Sequence, residues 1–175
     1  FRMFELPVPE PKDGEVLVRH HYLSLDPYMR GRMDESKSYA ASQQIDEVMI
    51  GGTVGEVVAS KNPGFKPGDK VVGMGGWQLY GISNGSDIKK IPAAGAPIQA
   101  FVGPLGMPGV TAWYGVNKIL MPKPGQTLVV SAATGAVGTV VGQLAKAAGA
   151  RAVGIAGGAE KCAYAVNELG FDACV

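Results

Sequence analysis

Side chains alternate along the first hundred residues with a two-residue period. From Glu15 to Leu25, Val16, Val18, His20 and Tyr22 fall on one side and Leu17, Arg19, His21 and Leu23 on the other, which predicts a strand. Val48–Ala59, Lys70–Met74 and Trp77–Ile82 read as further strands, with Gly51, Gly52 and Gly55 marking a bulge or close packing. Lys66-Pro67-Gly68-Asp69 has the residues of a type II turn, Pro second and Gly third. The stretch before them, Phe4 to Pro11, is extended and proline-rich. Asp26 to Met33 closes a strand with a proline turn, and Gly31–Glu47 is polar and aperiodic, predicting a mobile loop. Residues 1 to about 100 therefore predict many short strands in an antiparallel, barrel-like domain.

The rhythm then changes. Val110, Trp113, Val116, Ile119 and Leu120 mark a helix that carries the chain onward, and a second Pro-Gly turn, Lys123–Gln126, launches an apolar strand over Thr127–Ala132. A turn with the spacing A-x-G-x-x-G follows (Ala133, Gly135, Gly138). Val137, Val140, Val141, Leu144 and Ala148 then form one helical face, Gly149 is placed as a C-cap, and Ala152–Ala156 is a second strand. Another helix (Cys162, Val166 and Leu169 on one face, Gly170 as its stop) leads to a strand at Asp172–Val175.

Strand, glycine turn, helix and strand in that order predict the first part of a dinucleotide-binding unit. Ala133 stands where the turn-forming glycine is usual. Gly135 admits a pyrophosphate close to the backbone, Gly138 lets the helix lie on the strand, and the helix N-terminus favours the phosphates. An NAD site usually carries an acid about 20 residues past the glycines. Here the place reads Ala156-Gly157-Gly158-Ala159-Glu160-Lys161, with no acid at the strand tip. The missing acid and the small residues favour NADP. Lys161 reads either as a solvated surface lysine or as the counter-charge of a 2′-phosphate.

Composition narrows the class. The 175 residues are 46% hydrophobic and 18% charged, enough for a real core. A net charge of +1 without a basic run argues against nucleic acid or an anionic membrane as partner, and no apolar run approaches the roughly 20 residues of a membrane span. Cys162 and Cys174 alone make no disulfide framework, and a reduced, cytoplasmic setting is expected. Zinc is not expected. His20 and His21 are strand neighbours that point to opposite faces, no Cys lies in the first domain, and Gly51-Gly52-Thr53 stands where zinc alcohol dehydrogenases carry Gly-His-Glu.

Five segments carry a resemblance that spans essentially the whole chain: Leu23–Met33 (LSLDPYMRGRM), Gly51–Ser60 (GGTVGEVVAS), Leu105–Gly115 (LGMPGVTAWYG), Ala132–Gly138 (AATGAVG) and Ala156–Lys161 (AGGAEK). With these the chain resembles the zinc-independent medium-chain reductases of the leukotriene B4 12-hydroxydehydrogenase, prostaglandin reductase and 2-alkenal reductase group. The resemblance implies an α/β plus β fold, with a GroES-like antiparallel barrel over residues 1–103 and the first half of a Rossmann NADP-binding domain over residues 104–175. It implies an oxidoreductase that uses NADPH, without a metal, to reduce the carbon–carbon double bond of α,β-unsaturated aldehydes and ketones. Gly135, Ala136, Val137 and Gly138 would contact the pyrophosphate and Lys161 the 2′-phosphate. Met107 and Thr111 would lie near the nicotinamide. Tyr28 would line the substrate pocket, as a donor to the developing enolate or as a structural tyrosine. A small enal or enone is the expected partner, and the full-length enzyme is expected to be a homodimer.

Two other readings stay open: a zinc-independent quinone reductase, and an NADP-binding piece without catalysis. Because the last strand ends a sheet that should continue, the 175 residues are expected to be incomplete at both ends. They would belong to an enzyme roughly twice as long and be inactive alone.

Overall fold

The computed structural model describes residues 2–35, 40–92 and 95–175. The chain divides into two compact units, Phe1–Val102 and Gly103–Val175.

In the first unit, β1 (Val16–Leu23), β2 (Thr53–Ser60), β3 (Lys70–Gly73), β4 (Tyr80–Ser83) and β5 (Ile88–Lys90) form an antiparallel sheet in the order β4-β1-β2-β3-β5. The expected barrel is a half-barrel: the sheet is curled, with β4 and β5 as its two edges. Val16, Val18, Val57, Val71 and Ile88 make the core, with Phe65 against them. The predicted alternation along β1 breaks at His20–Tyr22, where the register against β2 shifts and Tyr22 turns outward. Gly55 is a close approach, since a Cβ there would lie 3.0 Å from His20 Cα. The turn before β3 is as predicted: Gly68 has φ +92° and the Asp69 N–H donates to Lys66 O at 3.1 Å.

Two segments differ from the pattern reading. Asp26–Met33 holds a short helix, α1 (Tyr28–Arg32), rather than a simple turn, because Pro27 is preset to helical φ and the Met29 N–H reaches Asp26 O. Residues 36–39 of the expected mobile loop lie outside the described residues. Its later part is tied back by Gln43, whose N–H donates to Arg32 O and whose side-chain oxygen accepts from the Ile50 N–H.

In the second unit, α2 (Met107–Tyr114) continues into a π turn over Gly115–Leu120. β6 (Thr127–Ser131), α3 (Gly138–Ala147), β7 (Arg151–Ile155), α4 (Ala159–Asn167) and β8 (Ala173–Cys174) follow, giving a parallel sheet in the order β6-β7-β8. Its core is Leu128, Val130, Ala133, Ala145, Ala150, Ala152, Ala165 and Phe171. β6, the predicted apolar strand, is buried on one face only, with Leu128 and Val130 inside and Val129 exposed.

The helices pack by their small residues. α3 buries Gly138, Gly142 and Ala145, and of its predicted apolar row Val137 stays exposed while Val141 reaches the core. The reason is the Phe171 ring: a Cβ on Gly142 would overlap it, with Phe171 Cε1 only 2.9 Å away. α2 likewise buries Pro108, Gly109 and Ala112. Val116 is buried, but Val110, Trp113, Ile119 and Leu120 of the predicted apolar face are exposed. No helix among the described residues is long and apolar enough to cross a membrane.

Asp172 fastens the end of this unit. Its carboxylate accepts from the Lys146 ammonium on α3 and, at 2.8 Å, from the Ala152 N–H on β7. The ammonium, then the backbone N–H, hold the carboxyl below its ordinary range. A lowered folded value contributes stability above the ordinary carboxylate pKa and loses it as pH falls through the folded value. Asp172→Asn is therefore expected to be less stable than wild type at pH 7, with the gap narrowing below about pH 4. Urea unfolding of both proteins across that range measures it, and a gap independent of pH would contradict the clamp.

Candidate functional site

The carboxyl ends of β6 and β7 lie side by side, Ser131 opposite Ile155. Two loops leave them. The first runs from Ala132 to the start of α3. Its reversal is made by Ala132, at φ +48°, and not by the buried Ala133 beside it. A left-handed alanine costs about 1–2 kcal/mol, and it gives no compositional signal, so the turning residue was missed in the sequence. Ala133 donates its N–H to Ile155 O at 3.1 Å and so locks the two loops together, while the Gly135 N–H closes back on Ala132 O at 2.8 Å.

Gly135, Ala136 and Val137 form an exposed crest, whereas Gly138 is buried at the start of α3. Val137 is the N-cap of α3 and makes no side-chain cap, which leaves the N-terminal dipole open to an anion. A Cβ on Gly138 would run into Ala132 O and lie 2.9 Å from Ala133 Cα, so this glycine serves the contact of helix with strand. A Cβ on Gly135 would meet Ala132 alone, its O at 3.1 Å and its Cβ at 4.0 Å.

The second loop is Ala156–Gly158. Nothing lies within 4 Å of a Cβ on Gly157 or Gly158, and Gly158, at φ +93°, is the N-cap of α4. Glu160 and Lys161 follow in the first turn of α4, both exposed. The fold thus brings Gly135–Gly138 and Lys161 to one edge of the sheet, which ends in an open, carboxylate-free strand tip. That edge can take a phosphorylated ligand on backbone N–H groups and a lysine.

Met107 and Thr111 sit one turn apart at the N-terminus of α2, which packs on α3. The Thr111 hydroxyl donates to Met107 O at 2.8 Å, so its lone pairs remain for a ligand. Tyr28 belongs to the other unit, where it is half-buried at the first position of α1. The histidines are spent locally. His20 Nδ1 pairs with Gln78 O at 2.9 Å and burial pushes its imidazole below the usual value, while His21 lies 3.8 Å from Glu56. Among the described residues no three His, Cys, Asp or Glu side chains converge as a metal site would need.

Residues 1–91 match a family described as the N-terminal domain of oxidoreductase. The match covers more than half of the chain. The chain belongs to the zinc-independent medium-chain dehydrogenase/reductases. It is 52% identical over 175 residues to an NADPH-dependent curcumin reductase of Escherichia coli, covering 100% of this chain and 51% of that protein. It is 43% identical over 170 residues to an NADP-dependent 2-alkenal reductase of Nicotiana tabacum, covering 96% of this chain and 49% of that protein. The crystal structure of CurA from Vibrio vulnificus in complex with NADPH superposes with a TM-score of 0.90 at 50% identity, over 98% of this chain and 51% of that one. The chain spans about half the length of the curated relatives it matches. The chain shares their two-part fold, a GroES-like half-barrel followed by the start of a Rossmann sheet.

Gly135 and Gly138 separate by substitution. Gly138→Ala is expected to cost about 1–3 kcal/mol, because backbone atoms cannot yield to the new methyl as a side chain would. Gly135→Ala, with no left-handed backbone and one near neighbour, should cost under about 1 kcal/mol. Denaturant titration of both variants reads the difference, and equal losses would refute the division of roles.

Proposed function

We propose that this chain belongs to an NADPH-dependent enzyme that reduces the carbon–carbon double bond of α,β-unsaturated aldehydes and ketones without a metal. The observation that carries the reading is the pairing of an uncapped α3 N-terminus behind an open glycine crest with a β7 tip that lacks an acid and leads to Lys161. The names of the relatives support it: a curcumin reductase that is NADPH-dependent and a 2-alkenal reductase that is NADP-dependent.

The residues fit the cofactor. A Cβ-free crest at Gly135 leaves room for a pyrophosphate against the Ala136, Val137 and Gly138 backbone, and the helix dipole favours its charge. Gly157 and Gly158 leave space for a 2′-phosphate and the exposed Lys161 balances it. Met107 and Thr111 serve the nicotinamide end. When bound, NADPH supplies the hydride that the β-carbon of the enone accepts. The charge then grows on the carbonyl oxygen of the substrate, and the Tyr28 phenol is the donor we assign to hold it there.

Lys161 gives the sharpest test. In the full-length enzyme, wild type should bind NADPH more tightly than NADH by roughly ten- to a hundredfold, the worth of one charge-assisted contact. Lys161→Ala should lose most of that preference with little change in NADH affinity. Fluorescence titration of both cofactors measures it, and equal affinities in the wild type would refute the NADP reading. Turnover of quinones in place of enones would keep the cofactor site and overturn the substrate.

A further inference from the structure

Cys162 and Cys174 are far apart in role as well as in sequence, one in the first turn of α4 and the other on β8. Both are free thiols, neither fully buried nor fully exposed. The topology nevertheless brings them to one place. Cys174 lies opposite Gly154 in the parallel pairing of β7 and β8, and α4 leaves β7 through Ala156–Gly158 to return over that pair. The Ala156 peptide is their meeting point. Its carbonyl accepts a long bond from Cys162 Sγ at 3.8 Å, and its N–H donates at 2.8 Å to Val175 O, the residue next to Cys174. The Cys174 Sγ lies 3.9 Å from that same Val175 O, and Cys162 is the neighbour that pushes its thiol up most. Gly154 contributes no side chain to this corner, and a Cβ there would lie 3.1 Å from Cys174 Sγ.

We propose that Cys162 and Cys174 are a redox-responsive dithiol that closes to an intrachain disulfide, with a low-molecular-weight disulfide as the oxidant. The Cys162 thiolate attacks one sulfur of the small disulfide, whose S–S bond breaks. One small thiolate leaves and takes up a proton, and the other half stays on Cys162 as a mixed disulfide. Cys174 then loses its proton and attacks the Cys162 sulfur, expelling the second small thiol. The protein gives up two hydrogens and two electrons, and the small disulfide becomes two thiols. The Cys174 thiol is pushed up, first by the neighbouring Cys162 side chain and then by desolvation, and Cys174 is the partner we assign to resolve the mixed disulfide. Closure ties the first turn of α4 to β8.

The test uses the full-length protein as wild type and as Cys174→Ser, each incubated natively with oxidised glutathione, alkylated and mapped by mass. Cleavage after Glu168 separates the two cysteines, which no lysine or arginine in this sequence does. Wild type is expected to yield Cys162 and Cys174 peptides joined to each other, lighter by about 2 Da than the two thiol peptides together and free of glutathione. Cys174→Ser is expected to keep glutathione on Cys162, because nothing remains to expel it. A wild type that retains glutathione as long as the variant does, or whose two thiols both stay free, overturns the proposal.

Discussion

The second unit rests on how near α3 can come to the sheet beneath it. Two positions set that distance by having no side chain, Gly138 against the Ala132–Ala133 backbone and Gly142 under the Phe171 ring, while on β7 a Cβ on Gly154 would lie 2.8 Å from the Ala133 methyl. A methyl added at Gly138 or Gly142 would push the helix outward. Phe171 fills the hollow left at Gly142, and Asp172, its neighbour, bonds the ends of α3 and the start of β7. The place where α3 begins is thereby fixed relative to β6, and with it the crest of Gly135–Val137. The position of that exposed crest is a by-product of helix–sheet contact.

This explains which parts were legible in the sequence. Turns and glycine loops depend on a few adjacent residues, so both Pro-Gly turns and the glycine turn were readable from their letters: Gly68 and Gly125 have the positive φ those turns need. Faces depend on remote partners. That α3 would bury glycines instead of its valines follows from Phe171, which lies beyond a strand and a further helix. The same holds for α2, whose larger apolar residues are exposed while Pro108, Gly109 and Ala112 pack. α1 was hidden because five residues are too few for a period to show.

That the Gly135–Gly138 loop and the start of α4 would meet at one edge was readable, because parallel strands deliver successive loops to the same edge whatever the sequence in between. Ala132 was not, since its backbone conformation is forced by neighbours that its own letter does not announce. The proximity of Cys162 to Cys174 was equally invisible. Their separation along the chain fits neither a metal spacing nor a redox dipeptide, and only the return of α4 over β8 brings the two residues to one corner.

The two sheets also differ in when their strands can pair. In the second unit every neighbour is also the next strand along the chain, β6 to β7 to β8, so each pairing closes over one intervening helix. In the first, β1 is flanked by β4, and Val16 finds its partner in Ser83 only after β2 and β3 have been laid down. Mean contact separation governs folding speed in small domains. The half-barrel should therefore be the slow partner during synthesis even though it emerges first, holding one side of β1 unpaired until β4 arrives. A chaperone that shields a single early strand would speed the maturation of this protein more than one that acts on the second unit.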